Sequence, residues 1–331
     1  MRAIRRTISE TEALDRAPQP RPDKIGARTE KFAHHWDRLI ERWSREFGSS
    51  FVEDYAFAGT ERHRVLHRRV YDGRIEVTEH RIRVHNLPES FCGLRIVQLS
   101  DIHHGLFLPF HAVLDAVELA NRLQPDVIAL TGDFVTYSRA YIEPVAAILG
   151  TLRARHGVFA VLGNHDFRVG AEGVARALRH EGIEVLRNRH TIIRHGGHTL
   201  PIAGIDDLWY SADLPRALRG IRADSATVLL SHNPQIIRRA AYYRVSLVLS
   251  GHTHGGQVRL PFAGSIFGRS PERMRFKSGW DRLGPTQIYV SRGIGTVVLP
   301  VRVRCPAEIP HLHLQPHDSD RSLPHRPGSE N

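Results

Sequence analysis

Short apolar segments that end in polar residues recur through the middle of this chain, and they constrain its fold more than any other feature. Each segment has the length and composition of a buried parallel strand, and helical patterns lie between several of them. Strands that alternate with helices predict an α/β fold with mostly parallel sheets. The polar motifs that close five segments are Ser100-Asp101-Ile102-His103, Gly132-Asp133, Gly163-Asn164-His165-Asp166, His232 and Gly251-His252-Thr253-His254.

The spacing of the first three motifs matches one strand–helix–strand unit. Asp133 follows Asp101 by 32 residues, and Asn164 follows Asp133 by 31. Because α/β proteins bind ligands at the carboxyl ends of their parallel strands, we expect these side chains to converge there. A single Asp after a strand is usually a helix cap, and a lone His such as His232 is usually structural. That explanation fails for five motifs placed at five strand ends.

The residue types in these motifs indicate a dinuclear metal centre. Carboxylate, imidazole and amide oxygen ligands suit Mn, Fe, Zn or Co, and the motifs lack the thiolates of a structural zinc site. His252 and His254 are two residues apart on a turning backbone, so we expect their rings to reach two adjacent ions. One carboxylate must bridge such ions, and Asp133, after a glycine that permits a tight strand exit, is the best placed. Two ions about 3.5–4 Å apart activate water and stabilise charge on a phosphoryl group.

Further strands are expected on both sides of these motifs. Residues 74–84 should form one or two edge strands, and the shorter rhythm from residue 183 predicts a second sheet rich in hairpins. Helices are expected over residues 110–123, 142–153 and 174–179. Strands over residues 287–291, 296–302 and 309–314 should complete the sheets.

The composition weakens several other interpretations. The net charge is +11, and 43 of the 46 basic residues are arginines, but they are spread along the whole chain. We therefore do not expect a nucleic-acid partner. Cys92 and Cys305 fit no zinc spacing and predict free thiols in a reducing compartment. No apolar segment follows Arg5-Arg6, and no segment approaches the length of a membrane-spanning helix, which favours a cytoplasmic protein.

The chain divides into four predicted regions. Residues 1–28 and 316–331 should be disordered tails, and residues 65–315 should form the domain. Residues 29–48 predict an amphipathic helix, with apolar residues at helical spacing. Its balanced charge is compatible with docking on the domain or a partner, whereas its aromatic residues favour a peripheral position on the inner membrane face. Both alternatives stay open for residues 30–47.

Taken in order, the five motifs resemble those of the calcineurin-like metallophosphoesterase superfamily. The resemblance covers about residues 74–314 and implies an αββα sandwich of two sheets, with a metal site at the carboxyl ends of the strands. Residues 251–258 and Ser291-Arg292-Gly293-Ile294-Gly295 are similar to a bacterial phosphodiesterase branch. That branch is often membrane-associated and includes hydrolases of UDP-2,3-diacylglucosamine. Its members usually begin with an anchor or export signal, which this sequence does not show, and the helix over residues 30–47 is a candidate replacement.

The resemblance also implies a role for each site residue. The ligands implied for the first metal are Asp101, His103 and His254, with Asp133 as the bridge. Those implied for the second metal are Asn164, His232 and His252, with the same bridge. His165 should contact the phosphoryl oxygen and protonate the leaving oxygen, and Asp166 should orient His165. His104 has no role in the family and should be a supporting or surface residue.

The expected function is dimetal-dependent hydrolysis of phosphoric esters, with a diester linked to a lipid or a nucleotide as the expected substrate. A second phosphate of the substrate could contact a basic segment, although surface charge explains the same residues: Arg269, Arg273, Arg275 and Lys277. One alternative is a nuclease or cyclic-nucleotide phosphodiesterase. Another is a non-catalytic metal-binding scaffold, which the presence of His165 argues against.

Overall fold

The computed structural model describes residues 75–105, 108–260, 264–265, 276–297 and 300–317. The predicted tail over residues 1–28 and the predicted amphipathic helix over 29–48 lie outside the described residues, as does most of the predicted tail over 316–331. In the described part of the chain, no helix is both long enough and apolar enough to span a membrane.

The first sheet supplies the amino-terminal half of the site and has six strands. They are β1 (Ile75–Val84), β2 (Arg95–Leu99), β3 (Val127–Leu130), β4 (Val158–Ala160), β5 (Glu184–Val185) and β14 (Ala307–Pro316). Their order is β1-β14-β2-β3-β4-β5. Strands β2 to β5 are parallel, and β14 runs antiparallel to β2 and parallel to β1.

The second sheet supplies the carboxyl-terminal half of the site and also has six strands. They are β6 (Arg189–His195), β7 (His198–Gly204), β8 (Val228–Leu230), β9 (Leu247–Ser250), β12 (Gly279–Leu283) and β13 (Thr286–Val290). Their order is β12-β13-β9-β8-β7-β6, with β7, β8, β9 and β13 parallel and the two edge strands antiparallel. A separate antiparallel pair joins β10 (Arg259–Leu260) and β11 (Gly264–Ser265).

Helices cover the outer faces of the sandwich. They are α1 (Phe110–Arg122), α2 (Ile142–Leu149), α3 (Asn164–His180), α4 (Leu214–Ala217) and α5 (Ile237–Tyr242). Helix α2 packs against both of its neighbours, α1 and α3. On the opposite side, α4 and α5 pack apolar residues against the second sheet, as Leu214 and Ile237 share a cluster with Leu229 and Val248.

A large apolar core lies between the two sheets and fixes their separation. It combines Ile96, Ala129 and Phe159 of the first sheet with Leu230 and Leu249 of the second. The central strands are apolar on both faces because one face meets the other sheet and the other meets helices. The αββα sandwich predicted from the sequence is confirmed.

Most predicted elements are present, although helix α2 ends four residues before its predicted end, and three others differ more. Helix α3 begins at Asn164, ten residues before the predicted start, because its first turns carry polar site residues rather than an apolar stripe. The short strand β5 belongs to the first sheet and not to the hairpin-rich second one. The strand predicted over residues 296–302 is absent from its described residues, where the Val297 amide donates to the Gln257 side chain.

Candidate dinuclear metal centre

The polar residues that follow five parallel strands lie together at one end of the sandwich. Asp101 and His103 follow β2, and Asp133 follows β3. The remaining residues follow β4, β8 and β9: Asn164, His232, His252 and His254. Within the described residues, three groups of side chains place one ligand atom each within 4.8 Å of the others: Asp101, His103 and His254; Asp133, His232 and His252; and His103, Asp133 and His165. The predicted convergence is therefore present.

The first cluster joins a carboxylate and two imidazoles. His103 Nε2 lies 3.1 Å from His254 Nε2, and His254 Nε2 lies 3.4 Å from Asp101 Oδ1. Two imidazole nitrogens at this distance require a cation between them or a proton on one of them. Their arrangement fits the ligands of one metal ion.

The second cluster has a similar geometry on the other side of Asp133. His232 Nε2 lies 3.1 Å from His252 Nδ1. The Thr131 carbonyl accepts from His232 Nδ1 at 2.8 Å, which leaves Nε2 free to bind a metal. Asn164 is 2% exposed, and its Oδ1 has no hydrogen-bond partner. Buried oxygens normally have a partner, so this atom fits a ligand position for a divalent ion.

One oxygen of Asp133 faces both clusters. Asp133 Oδ2 lies 3.4 Å from His103 Nε2 and 3.2 Å from His232 Nε2. Its other oxygen, Oδ1, accepts from the His165 backbone N–H at 2.9 Å, which fixes the carboxylate. This is the arrangement expected of a bridging ligand.

Backbone conformation at the site is strained. Five of the seven predicted ligands have left-handed φ values between +49° and +72°: Asp101, His103, Asp133, His252 and His254. Residues other than glycine rarely adopt such φ values, and each such residue costs about 1–3 kcal/mol of folding free energy. The surrounding structure holds these residues in the conformation that turns their side chains into the centre.

Two glycines permit this close packing of strand ends. A Cβ atom at Gly251 would lie 2.2 Å from Asp101 Oδ2, and one at Gly163 would lie 2.2 Å from Asp133 Oδ1. Both positions therefore exclude a side chain, because it would displace a carboxylate.

Burial and neighbouring charges shift the pKa values of the buried groups of the centre in different directions. Burial alone would lower the pKa of His232, but the carboxylates of Asp133, Asp101 and Asp207 raise it to about 10. Burial would raise the pKa of Asp133, yet His232 and His103 hold it well below the usual range. Burial and the neighbouring His103 lower the pKa of His254 far below 6.5, so its ring is neutral. Carboxylates and neutral imidazoles bind metals, so Asp133 and His254 are in the binding form, whereas His232 must first lose a proton.

His165 lies beside the centre, at the position expected for a residue that meets the substrate. Its ring packs perpendicular to that of His103, with centroids 4.9 Å apart. Its Nδ1 lies 3.1 Å from the Thr136 carbonyl, which accepts a hydrogen bond from Nδ1–H. This hydrogen bond directs Nε2 away from the backbone. Burial lowers the pKa of His165 against the opposing effect of Asp133.

Asp166 has different contacts from those predicted. Its carboxylate accepts backbone N–H groups of Asp133, Phe134 and Gly163 at 2.8–2.9 Å, and of Val135 at 3.4 Å. The partner of the His165 ring nitrogen is the Thr136 carbonyl instead. The prediction that Asp166 orients His165 directly is corrected: Asp166 fixes the loop that carries Asp133.

Other residues singled out in the sequence are placed outside the clusters. His104 is 1% exposed, and its Nδ1 lies 2.9 Å from the Leu108 carbonyl, so it supports the loop after β2. Burial lowers its pKa to about 4. The Thr253 hydroxyl donates to the Lys277 carbonyl. Arg269, Arg273 and Arg275 lie outside the described residues.

Sequence reasoning missed several residues around the centre. Thr136 lies 3.2 Å from His103 Nδ1 through its hydroxyl, and Asp207 is a buried carboxylate whose Oδ2 has no hydrogen-bond partner. The Trp209 ring lies 4.8 Å from that of His252. The Asp206-Asp207 pair after a strand was an available signal, whereas nothing in the sequence marked Thr136.

Comparisons with known proteins agree with this geometry. A family model described as calcineurin-like phosphoesterase matches residues 94–256. The uncharacterized metallophosphoesterase YkuE of Bacillus subtilis is 35% identical over 240 residues, which cover 71% of this chain and 84% of that protein. Phosphodiesterase YaeI of Escherichia coli is 30% identical over 249 residues, which cover 73% of this chain and 89% of that protein.

A third relative matches a similar share of this chain. The transmembrane protein with metallophosphoesterase domain of Danio rerio is 34% identical over 255 residues, covering 72% of this chain and 57% of that protein. Both bacterial relatives match over most of their own length, and the matched region contains the converged motifs. The chain therefore belongs to the calcineurin-like metallophosphoesterase family, whose members are metal-dependent hydrolases that use two divalent ions.

Proposed function

We propose that this protein is a phosphodiesterase whose two metal ions are held by the seven ligands converging after five strands. The observation that carries the proposal is the position of Asp133 Oδ2, 3.4 Å from a histidine of one cluster and 3.2 Å from a histidine of the other. Asp101, His103 and His254 hold one ion, and Asn164, His232 and His252 hold the other. Asp133 serves both.

The ions supply a nucleophilic water and positive charge for the phosphoryl oxygens. The chain itself supplies rigid placement. Asp166 fixes the backbone that carries Asp133, and the His252 backbone N–H donates to Asp101 at 2.9 Å. Because these contacts exist before substrate binds, little reorganisation is needed during reaction.

His165 is the proposed general acid. Its Nδ1–H is held by the Thr136 carbonyl, so Nε2 gives a proton to the leaving oxygen when the ring is doubly protonated, as an imidazolium. An ester with an alkyl leaving group needs this proton more than one with an activated aryl leaving group, because an alkoxide leaves poorly. The name of YaeI, a phosphodiesterase, supports a diester substrate for this chain.

The substrate class that we propose is a diester linked to a nucleotide or a lipid, of the UDP-2,3-diacylglucosamine kind. Support comes from the motif similarity over residues 251–258 and 291–295. Peripheral membrane contact through residues 30–47 is part of the same proposal, since a lipid-linked substrate lies at a membrane surface.

Substitution of the proposed acid tests the function. His165→Ala should keep two metal ions per chain, because the three ligands of each cluster remain, and should lower kcat on a diester with an alkyl leaving group by about 100-fold or more. Metal content by plasma emission spectroscopy and kcat are the measurements. His111→Ala, at an exposed histidine of α1, is the matched control. A His165→Ala protein that keeps both metal and full turnover contradicts the proposed acid.

A further inference from the structure

Two aromatic side chains stand exposed beside the metal centre. Trp209 is 49% exposed and Tyr137 is 69% exposed. The Trp209 ring lies 4.8 Å from the ring of His252 at an interplanar angle of 82°. The Tyr137 ring lies 5.9 Å from that of His165 at 74°. One aromatic residue therefore adjoins a proposed metal ligand, and the other adjoins the proposed acid.

The loop that carries Trp209 is held rigidly by buried polar contacts. Arg187 binds both oxygens of Asp206, at 2.9 and 3.0 Å, and the Ser211 hydroxyl donates to Asp206 at 2.7 Å. The Trp209 backbone N–H donates to Asp207 Oδ1 at 2.9 Å. Trp209 is thus presented on a fixed backbone while its ring remains open to water.

A second contact ties this loop to the start of helix α3. The ring of Tyr210 stacks on that of Phe167, with centroids 4.5 Å apart and an interplanar angle of 16°. The Arg187 guanidinium also lies over the Phe167 ring, 5.4 Å from its centroid. Since Phe167 follows His165 by two residues, this stack places the loop beside the segment that carries the proposed acid.

Folding does not explain why Trp209 and Tyr137 are aromatic. Burial of an aromatic ring stabilises a fold, but these rings leave about half or more of their surface in water. Exposed aromatic residues on a rigid loop beside a reaction centre are typical of binding sites.

We propose that Trp209 and Tyr137 form a subsite for a planar ring, a nucleobase or an aryl group, of the phosphodiester. The inference rests on the proposed function and narrows its substrate class. Every nucleobase has a face that stacks on an aromatic side chain, and Trp and Tyr lose little conformational entropy when they bind. The groups next to Trp209 are polar, namely His252 and Asp207, which suits a heterocycle better than a hydrocarbon chain.

Calorimetric binding to the manganese-loaded protein tests the subsite independently of turnover. The four ligands are adenosine 5′-monophosphate, phenyl phosphate, ribose 5-phosphate and octyl phosphate. We expect adenosine 5′-monophosphate to bind about tenfold (~1.4 kcal/mol) more tightly than ribose 5-phosphate. Phenyl phosphate distinguishes a nucleobase from other aryl rings. If it binds as tightly as the nucleotide, the subsite accepts any aryl ring. If it binds more weakly than the nucleotide, the subsite prefers a nucleobase.

Substitutions at Trp209 test whether its ring causes the preference for adenosine 5′-monophosphate over ribose 5-phosphate. Trp209→Ala should remove the tenfold preference and leave the affinity for ribose 5-phosphate unchanged, whereas Trp209→Phe should keep most of it. Tyr242→Ala is the matched control, because Tyr242 is 81% exposed at the end of α5, on the side of the second sheet where β9 begins. Metal content, measured on each variant, checks that His252 still binds its ion.

Three results overturn the subsite. They are equal affinity for adenosine 5′-monophosphate and ribose 5-phosphate, a preference that survives Trp209→Ala, and a Trp209-dependent preference for octyl phosphate alone. The last result would assign the rings to an acyl chain. A protein that binds the ligands as expected but hydrolyses no diester contradicts the proposed function and leaves the subsite standing.

Discussion

Asp133, the proposed bridge, lies between the two histidine clusters of the centre. Its Oδ2 is the atom that faces both, and its Oδ1 is held by the His165 backbone. Without metal, the positive charge that balances this carboxylate resides on His232, whose pKa the surrounding carboxylates raise to about 10. Metal ions and this proton therefore compete for the same position.

Metal binding should release a proton from His232 near neutral pH. The folded, metal-free pKa of about 10 lies above the ordinary 6.5, so His232 is charged at pH 7 and must become neutral to bind an ion. Metal affinity should therefore rise with pH, about tenfold per pH unit for one proton, up to the pKa. Calorimetric titration of metal-stripped protein at pH 7 in buffers of different ionisation enthalpy measures the release. A heat of binding that is independent of the buffer contradicts this competition.

The sequence predicted residues that converge in the structure, but not how they are held. Strand ends and residue types predicted the convergence of Asp101, Asp133 and His232, because parallel strands end at one edge. The left-handed backbone at Asp133 and the contacts of Asp166 were not predictable. Both depend on neighbours about 30 residues away, and on close packing that spacing alone does not reveal.

At the scale of elements, the start of helix α3 organises the site more than any strand does. Asn164, His165 and Asp166 form its first turn. The Asp166 carboxylate accepts N–H groups from Gly163 at the helix start and from Asp133 to Val135 after β3. One buried side chain thus joins two strand ends.

Replacement of this carboxylate by an amide should destabilise the domain. Asp166→Asn has one acceptor oxygen, and its NH₂ group would oppose backbone N–H donors, so we expect a loss of about 2–4 kcal/mol in the free energy of unfolding. Urea denaturation is the measurement. The matched control is Asp213→Asn, since Asp213 accepts a single N–H, from Arg216 at 2.9 Å, and Asn caps helices equally well. Equal stability of the two variants contradicts the role given to Asp166.

Elements were predicted best where apolar patterns are continuous. The buried central strands β2, β3, β8 and β9 each end with at most one residue between the strand and the polar motif that was predicted to close it. Helix α3 was predicted too short because its first turns serve the site rather than the core. Residues 296–302 have the composition of a strand, yet the described ones hydrogen-bond to Gln257 and to loops.

At the scale of the whole molecule, the centre connects the two sheets. Asp101, Asp133 and Asn164 follow strands of the first sheet, and His232, His252 and His254 follow strands of the second. Ions bound by both groups favour the folded state, because the ligands are brought together only there.

Chelation should therefore lower the melting temperature. At a free metal concentration of 100 times Kd, one bound ion adds about 2.7 kcal/mol. For a domain of this size, that corresponds to a Tm decrease of about 5–10 °C when the metal is removed. Calorimetric melting with and without a chelator is the measurement. Asp133→Asn provides the control, since its Tm should not respond to the chelator. A wild-type Tm that does not change on chelation would show that metal bound at the centre does not stabilise the two sheets.

Metal-stripped protein, restored with Mn, Zn, Fe, Co, Ni or Mg in turn, gives the most direct test of the dinuclear phosphodiesterase. The measurement is hydrolysis of bis-p-nitrophenyl phosphate against p-nitrophenyl phosphate as each metal is titrated in. We predict that a transition metal restores diester turnover, that activity saturates at two ions per chain, and that Asp133→Asn stays inactive. Saturation at one ion, or no turnover of either ester with any metal, would contradict the dinuclear phosphodiesterase.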